Sequence, residues 1–195
     1  MPPADLAAVT DVNVRMQAQV RAATLEDAAA IAKVRIDSWR ATYRGMVPDA
    51  YLDAMDLEDS TSLWVRILSA PPVANRAVFV AESAAGIIGF SAGMMLDEAK
   101  FGCNSELTGI YLRTDAQRLG LGRQLVKAVA QECLARGATG MLLWVLSKNQ
   151  IGRRFYEKLG GELLIEQPFT WDGLDLHEAG YGWRQLSALV ESIPE

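Results

Sequence analysis

The sequence predicts a mixed α/β fold in which helices flank a mostly antiparallel sheet. Three observations support this prediction: helical apolar spacing in the first third of the chain, two pairs of apolar runs joined by short turns, and an αβα stretch between those pairs. The 195 residues include 50% hydrophobic and 22% charged side chains, which is enough apolar material for one ordinary domain. We expect a loose tail over residues 1–14 and a single domain over residues 15–195.

The first half of the domain is predicted to be one short strand followed by helices. Thr24 opens the first helix with a capping pattern in which Asp27 takes the place of the usual Glu. Apolar side chains then recur at steps of three and four residues, which is typical of a helix with one buried face. The predicted elements are a strand at 16–22 and helices at 24–44, 48–55 and 60–68.

Strand patterns dominate the second half. Apolar runs lie on both sides of residues 84–86, Ala-Ala-Gly, which predicts a hairpin. A helical apolar stripe begins at Leu121 and ends at Gly137, and the Asp-Gly pair at 172–173 predicts the turn of a terminal hairpin. The predicted strands are 77–81, 87–96, 107–112, 141–146, 162–171 and 174–183, and the predicted helices are 121–137 and 151–159.

The composition limits the partners and the chemistry. A net charge of −5 argues against a broad nucleic-acid surface, and the longest apolar run, residues 86–96, is too short to span a membrane. His177 is the only histidine, which argues against a His-based zinc site or hydrolytic triad. Cys103 and Cys133 lack metal-site spacing, so we expect no metal, reduced thiols and a cytoplasmic location. A loop position for Cys103 leaves a minor acyl-carrier role open.

The most informative stretch lies between the strand that ends near Leu112 and the amphipathic helix that follows. It reads Gln117-Arg118-Leu119-Gly120-Leu121-Gly122-Arg123. The first turn of a helix has unpaired N–H groups, glycines let a phosphate approach them, and Arg118 and Arg123 add charged donors. The pattern lacks the Gly-Lys-Ser/Thr of a Walker loop and the third glycine of the dinucleotide fingerprint. We predict a pyrophosphate site over 117–123, with a simple tight turn as the alternative.

A second stretch follows one helix and one strand later, and at this point the chain resembles a known family. The GCN5-related N-acetyltransferase (GNAT) superfamily has two motifs similar to Gln117-x-x-Gly120-x-Gly122 and Asn149…Phe155-Tyr156-x-Lys158-x-Gly160. The acceptor-side helices of many bacterial members resemble Trp39-Arg40-x-x-Tyr43-x-Gly45-x-x-Pro48. The resemblance covers residues 19–185. It implies a GNAT-like acyltransferase fold, acetyl-CoA as co-substrate and an amine as acceptor.

The resemblance also implies which residues contact acetyl-CoA. Backbone amides of residues 117–123 would hold its pyrophosphate. The pantetheine arm would bind like an extra strand where the sheet splays after Leu112, and Gly109 would mark a bulge in that strand. Asn149 would contact the same arm, although a helix N-cap before Ile151 alone explains this residue. The residues that would bond the arm through their backbone are Ile110, Tyr111 and Leu112.

Two residues are candidates for the proton transfers. The resemblance implies that Tyr156 protonates the leaving CoA thiolate, which requires its phenol within hydrogen-bond reach; the alternative is simple packing. An amine must lose a proton before it attacks, and Glu106 or a water chain would accept it. Glu106 serves well only if partial burial raises its pKa, and the alternative is a solvated carboxylate. Strand alternation places Glu106 on one face with Thr108 and Ile110.

The first long helix carries the candidate acceptor-binding residues, Trp39 and Tyr43. They would belong either to the core or to an aromatic wall of the acceptor pocket, and Arg40, Tyr51 and Asp53 could reach the same cleft. The acceptor is expected to be a small-molecule or peptide amine, with a weak preference for cationic amines because the chain is acidic. The apolar terminal hairpin predicts a homodimer.

Together these observations predict an acetyl-CoA-dependent N-acetyltransferase in which the amine attacks the thioester directly within a ternary complex. No covalent acyl-enzyme is required. Two alternatives stay open, because the motifs mainly recognise the CoA part of the co-substrate. One is an acetyl-CoA-binding regulatory or partner-binding domain without turnover, and the other is an acyltransferase that uses a different acyl-CoA. We expect no nucleic-acid or membrane partner.

Overall fold

The structure of the chain is a computed structural model that describes residues 18–70 and 75–194. The tail expected at 1–14 lies outside these residues. The strands are β1 (Gln19–Ala22), β2 (Arg76–Ser83), β3 (Gly86–Lys100), β4 (Cys103–Leu112), β5 (Met141–Leu146), β6 (Glu162–Trp171) and β7 (Leu174–Trp183). The helices are α1 (Ala28–Tyr43), α2 (Asp49–Asp53), α3 (Leu57–Leu68), α4 (Leu121–Ala135), α5 (Gln150–Lys158) and α6 (Leu186–Ser192).

The strands join one sheet in the order β1-β2-β3-β4-β5-β7-β6. Each neighbouring pair is antiparallel except β4 and β5, which run parallel. This arrangement confirms the predicted mixed α/β fold with a mostly antiparallel sheet. The helices α1 and α4 cover opposite faces, because Val80 of β2 packs against α1 while the adjacent Ala81 packs against α4.

The start of α1 is fixed by the capping pattern that the sequence predicts. The Asp27 carboxylate accepts a hydrogen bond from the Thr24 N–H at 2.8 Å. The same carboxylate pairs with Arg21 of β1 at 2.7 Å, which ties the helix start to the edge of the sheet. Sixteen residues later α1 ends at Tyr43, so its last two turns lie over the centre of the molecule and carry Trp39.

The β3–β4 hairpin and helix α6 differ from the prediction. β3 continues to Lys100 and β4 begins at Cys103, because the two strands keep pairing as one long hairpin. Cys103 is therefore fully buried in a strand, and burial raises the pKa of its thiol. The expected loop position is wrong, and the thiol is inaccessible for an acyl-carrier role. The sequence pattern does not predict α6, because this seven-residue helix depends on the packing of Leu186 and Leu189 in the core under α4.

A β-bulge interrupts β4 next to Gly109, where the family resemblance implies one. The pairing with β3 slips by one residue between Ala92 and Gly93, which leaves Thr108 as the extra residue of β4. The Thr108 hydroxyl donates to the Ala92 carbonyl at 3.1 Å. The extra residue inverts the alternation of side chains along the rest of the strand.

The inverted alternation corrects one expectation. Leu107 and Ile110 both pack on the α4 side of the sheet, although they are an odd number of residues apart. Glu106 precedes Leu107 and so faces the α1 side, where Tyr111 also packs. The prediction that Glu106 shares a face with Ile110 is therefore wrong, because a one-residue bulge moves every following side chain to the other face.

Candidate active site

The strands β4 and β5 separate soon after they begin to pair. They are paired at two positions, of which Glu106 with Leu142 is the last. Beyond it, β4 continues beside β3 and β5 continues beside β7, so the facing edges at 107–112 and 143–146 have no strand partner among the described residues. We call this opening the wedge. It begins after Glu106, whereas the sequence predicted a splay after Leu112.

The loop before α4 forms a second feature, which we call the cradle (residues 117–123). The backbone is left-handed at Arg118, with φ at 65°, and at Gly120, with φ at 88°. The Arg123 N–H donates to the Gly120 carbonyl at 3.1 Å and closes the first turn. In the chain as far as it is described, the N–H groups of residues 118–122 have no backbone acceptor. Unpaired amides at the positive end of a helix suit a phosphate group.

The surroundings of the cradle leave room for an anion and add positive charge. Arg118 and Arg123 are exposed, and neither forms an ion pair with a described residue. A Cβ added at Gly122 would lie 3.3 Å from the Phe155 ring and 3.4 Å from the Leu112 side chain. A larger residue at Gly122 would therefore crowd the place where the cradle meets the wedge. These residues fit a CoA molecule whose pyrophosphate lies in the cradle and whose arm follows the wedge.

Two of the predicted cofactor residues are already bonded within the protein. The Gln117 N–H donates to the Thr114 carbonyl at 3.4 Å, and the Gln117 side chain donates to the Leu112 carbonyl at 3.3 Å. The Ser38 hydroxyl of α1 donates to the same Leu112 carbonyl at 3.3 Å. The free amides of the cradle therefore begin at Arg118 rather than at Gln117.

Asn149 caps the start of α5 and interacts with residues of α5 and α1. Its side-chain oxygen accepts a hydrogen bond from the Gly152 N–H at 3.0 Å, so the predicted N-cap is present. Asn149 is 7% exposed, and its side chain also interacts with the Tyr43 hydroxyl. The capping bond occupies the oxygen, which leaves the amide nitrogen for Tyr43 or for a ligand. A contact with the cofactor arm stays a prediction.

Three tyrosines from different elements meet beside the wedge: Tyr43 at the end of α1, Tyr111 on β4 and Tyr156 on α5. The Tyr43 and Tyr111 hydroxyls interact with each other, and both interact electrostatically with Tyr156. Burial raises the pKa of Tyr156, and Tyr111 raises it further. Tyr156 therefore keeps its proton through neutral pH, as a proton donor must.

Glu106 occupies the last paired position of β4, on the α1 face of the sheet. Burial raises the pKa of its carboxyl group, Lys100 opposes this shift, and Glu178 of β7 adds to it. The Glu178 carboxylate itself accepts a hydrogen bond from Gln167 of β6 at 2.9 Å. A partly buried carboxylate with a raised pKa is a stronger base than a solvated one, so the chemistry of the position suits proton removal from an amine.

Aromatic side chains of α1, α2 and the β6–β7 hairpin form a cluster on the same face. The Trp39 ring centroid lies 4.7 Å from that of Tyr43 and 4.9 Å from that of Trp171. The Tyr51 ring meets Trp171 edge to face at 5.2 Å. Trp39 is 9% exposed and belongs to the core, whereas Tyr43 reaches the wedge with its hydroxyl. We call these four side chains the aromatic cluster.

The other acceptor-side candidates are bound elsewhere. The Arg40 guanidinium donates to the Leu52 carbonyl at 3.1 Å, which holds α2 against α1. Asp53 forms an ion pair with Arg44 at 2.6 Å. Of the three residues expected to reach the cleft, only Tyr51 joins the aromatic cluster.

Sequence reasoning missed three residues of this region, namely Arg35, Trp171 and Glu178. The Arg35 guanidinium carbon lies 5.0 Å from the centroid of the Trp39 ring. Their spacing of four residues on one helix is a signal that the sequence contains. No local pattern points to Trp171 or Glu178, because only the assembled sheet brings the β6–β7 hairpin beside α1.

Other chemical features are sparse in the residues that the structure describes. No group of three or more His, Cys, Asp and Glu side chains at 18–70 or 75–194 is arranged to hold a metal ion. None of the helices described is both long enough and apolar enough to cross a membrane. Cys103 and Cys133 are both free and buried, and His177 is exposed on β7.

Known proteins are similar to this chain in sequence. The profile of the Acetyltransferase (GNAT) family matches residues 36–161, which include β4, the cradle and α5. The uncharacterized N-acetyltransferase YuaI of Bacillus subtilis is 36% identical over 171 residues, and the match covers 87% of this chain and 95% of that protein.

Solved structures of low sequence identity share the fold. The PaiA N-acetyltransferase of Thermoplasma acidophilum in complex with coenzyme A superposes with a TM-score of 0.64 at 22% identity, over 84% of this chain and 98% of that chain. The structure of yncA from Salmonella typhimurium with acetyl-CoA superposes with a TM-score of 0.62 at 19% identity, over 87% and 94% of the two chains. With the profile match and YuaI, these similarities confirm the resemblance, and the chain belongs to the GNAT family of N-acetyltransferases.

Proposed function

We propose that this enzyme transfers the acetyl group of acetyl-CoA to an amine that attacks the thioester directly in a ternary complex. The wedge is the observation that carries the proposal, because its open strand edges lead to the unpaired amides of the cradle. An extended arm that ends in a diphosphate suits this geometry. A strand edge offers backbone hydrogen bonds to the arm, and a helix start binds the phosphates.

Most of the cofactor contacts would come from the backbone. The amides of residues 118–122 would bind the pyrophosphate, and the edge of β4 at Ile110 would bond the pantetheine arm, because the backbone groups of Tyr111 pair with Phe90 of β3. The amide nitrogen of Asn149 would reach the same arm from α5. Acetyl-CoA, when bound, supplies the acetyl group as an activated thioester. Among the described residues, the amides at 118–122 have no backbone acceptor, β4 has no pairing with β5 beyond Glu106, and the cap of α5 uses the oxygen of Asn149 rather than its nitrogen.

The proton transfers would involve Glu106 and Tyr156. An alkylamine with a pKa near 10 arrives protonated, and Glu106 removes one proton directly or through a water. The amine nitrogen then forms a bond to the carbonyl carbon while the carbon–sulfur bond breaks. Tyr156 donates its proton to the departing sulfur, and the second proton lost by the nitrogen returns to Tyr156 through solvent. The products are an N-acetyl amine and free CoA.

The proposal extends to assembly and location. The acceptor is a small-molecule or peptide amine, and the enzyme works in the cytoplasm, where two free buried thiols stay reduced.

We also propose a homodimer, because β6 lies at the edge of the sheet and a second copy could pair there. Light scattering behind a sizing column would show twice the mass of one chain for the dimer and one mass for a monomer.

Isothermal titration with acetyl-CoA and CoA tests the central proposal. The variant Gly120→Glu places a side chain and a negative charge in the cradle, and its affinity should fall at least about 100-fold, since charge-assisted phosphate contacts are lost. Gly137→Glu is the matched control, because Gly137 has a similar left-handed backbone, with φ at 90°, at the other end of the same helix. Its affinity should match that of the wild type.

The outcomes separate the main proposal from its alternatives. Saturable wild-type binding that is lost only in Gly120→Glu supports the cradle as the CoA site. A thiol-release assay with a set of amines then distinguishes an enzyme from a binding domain without turnover. Parallel assays with longer acyl-CoA molecules distinguish acetyl transfer from transfer of another acyl group. A wild-type protein that binds neither acetyl-CoA nor CoA overturns the proposal.

A further inference from the structure

Arg35 is a cation without a counter-charge on the acceptor side of the site. It lies on α1 with its guanidinium over the Trp39 ring, and it forms no hydrogen bond or ion pair with any residue that the structure describes. Its guanidinium carbon lies 5.0 Å from the centroid of the Trp39 ring in the aromatic cluster, and its charge acts on the hydroxyls of Tyr51 and Tyr111. Asp172 also acts on Tyr51 but does not pair with Arg35. The N–H groups of the Arg35 guanidinium are therefore available to a hydrogen-bond acceptor.

The indole of Trp39 supplies an independent sign of a missing partner. Trp39 is 9% exposed, and its Nε1 is fully buried without a hydrogen-bond partner in the described residues. Tyr111 interacts with both Trp39 and Arg35, but its hydroxyl forms no hydrogen bond with the Trp39 N–H. A buried donor without an acceptor is costly, and native structures usually satisfy it. The Arg35 guanidinium and the Trp39 N–H therefore lie close together beside β4, and neither has a hydrogen-bond partner among the described residues.

We infer that the acceptor is an amino-carboxylate, such as an amino acid, whose carboxylate is bound by Arg35 and the Trp39 indole while its amine lies in the wedge. This inference rests on the proposed function. A planar guanidinium matches a carboxylate with two parallel hydrogen bonds, and stacking on an aromatic ring holds it in that geometry. The Trp39 N–H would add a third donor to the same anion.

The charges at the other end of the site agree with a zwitterion. Glu106 and Glu178 lie on the same face of the sheet as Tyr111 and attract an ammonium group. A polyamine would satisfy these carboxylates but would bring a second positive charge towards Arg35. A dianion would be repelled by the carboxylates. The local arrangement therefore favours one positive and one negative group on the acceptor, in contrast to the cationic acceptors favoured by net charge.

Matched acceptor pairs test this inference. CoA release is measured with L-leucine and isoamylamine, L-phenylalanine and phenethylamine, and L-lysine and cadaverine, each pair differing by the carboxylate. We expect wild-type kcat/KM to be about 10- to 100-fold higher for at least one amino acid than for its amine, since charged hydrogen bonds contribute that much. Arg35→Gln should abolish this preference, mainly through KM, and Arg35→Lys should restore part of it.

Controls distinguish recognition from general damage. Lys33→Gln removes an exposed cation that pairs with Asp37 on the same helix, and it should leave the preference unchanged. Titration of the preferred amino acid into the CoA-loaded enzyme should lose its signal in Arg35→Gln. Equal kcat/KM for amino acids and amines, equal losses for both in Arg35→Gln, or no turnover of any amino acid overturns the inference. Acetyl-CoA binding and amine turnover would persist in these cases, whereas their loss would overturn the proposed function.

Discussion

The proposed cofactor half of the site is made mostly of backbone, whereas the proposed acceptor half is made of side chains. The cofactor half comprises the wedge and the cradle, whose donors are the amides of residues 118–122 and the open edge of β4. The acceptor half comprises the aromatic cluster and Arg35, which come from α1, α2 and the β6–β7 hairpin. The first half requires a particular chain path, and the second requires particular residues at particular places.

This difference explains how one scaffold can keep a co-substrate and change its acceptor. Backbone donors persist through most substitutions, provided that glycines keep the path open at Gly120 and Gly122. Side-chain donors such as Arg35 change with a single substitution, and so does the acceptor that they recognise. Substitutions in the two halves should therefore affect different kinetic constants.

The largest effect is expected from Tyr156→Phe, which removes the proton donor while keeping the ring. We expect kcat to fall about 100- to 1000-fold, because general acid catalysis contributes an amount of this order. The Kd for acetyl-CoA should stay near the wild-type value. Burial raises the pKa of Tyr156 above its usual value of about 10. The kcat of the wild type should therefore show no decrease from ionisation of Tyr156 at any pH below that value. Steady-state kinetics and titration measure these quantities.

A control for this variant is Tyr181→Phe. The Tyr181 hydroxyl accepts from Arg153 at 3.0 Å and donates to Glu157 at 2.7 Å, which ties α5 to β7. Its loss should lower stability without lowering kcat comparably. A Tyr156→Phe enzyme with a kcat within a factor of about three of the wild type would show that another group or water protonates the sulfur.

A smaller effect is expected from Glu106→Gln, which lies at the boundary between the two halves. The base must be ionised to accept a proton, and burial raises its pKa, so wild-type kcat/KM should rise with pH through a value above the usual 4.3. In the variant, kcat/KM should be about 10- to 100-fold lower at neutral pH and this acidic limb should disappear. Rate profiles from about pH 4 to pH 8 measure both quantities.

Glu98→Gln is the matched control, since Glu98 is an exposed carboxylate near the end of β3. The Glu98→Gln enzyme should keep the wild-type kcat/KM at neutral pH, and its kcat/KM should rise with pH as in the wild type. If Glu106→Gln retains the wild-type limb, the base is a water chain or another carboxylate, and Glu178 becomes the next residue to replace.

The smallest effect is expected from Asn149, which contacts both halves. Asn149→Ala loses the N-cap of α5 and should lower the free energy of unfolding by about 1 kcal/mol. Asn149→Ser keeps a capping oxygen but loses the amide nitrogen, so its stability should stay near that of the wild type. Urea unfolding measures this difference between the two variants.

Acetyl-CoA affinity sharpens the interpretation of the Asn149 pair. If the amide nitrogen bonds the pantetheine arm, both variants should bind acetyl-CoA several-fold more weakly, in keeping with one lost hydrogen bond. Wild-type affinity in Asn149→Ser would show that the residue is a cap and a partner of Tyr43 only.

The two halves were also unequally predictable from the sequence. The cradle follows from neighbouring residues, because glycines, arginines and a helix start within 117–123 define it locally. The exact course of β4 was not predictable, since one extra residue at Thr108 reverses its alternation and nothing in the local pattern marks it as the bulge. The buried position of Cys103 was missed for a similar reason, because it depends on how far β3 and β4 continue to pair.

The sequence by itself determined the fold class and the family, and it predicted the cradle as the place of a pyrophosphate, since these depend on short-range patterns. Only the tertiary structure decided where β4 leaves β5, which phenols meet Tyr156, and that Trp171 packs against Trp39 while Glu178 acts on Glu106. These features join residues that are far apart in the chain. Their contacts arise from packing between elements, and no local pattern encodes that packing.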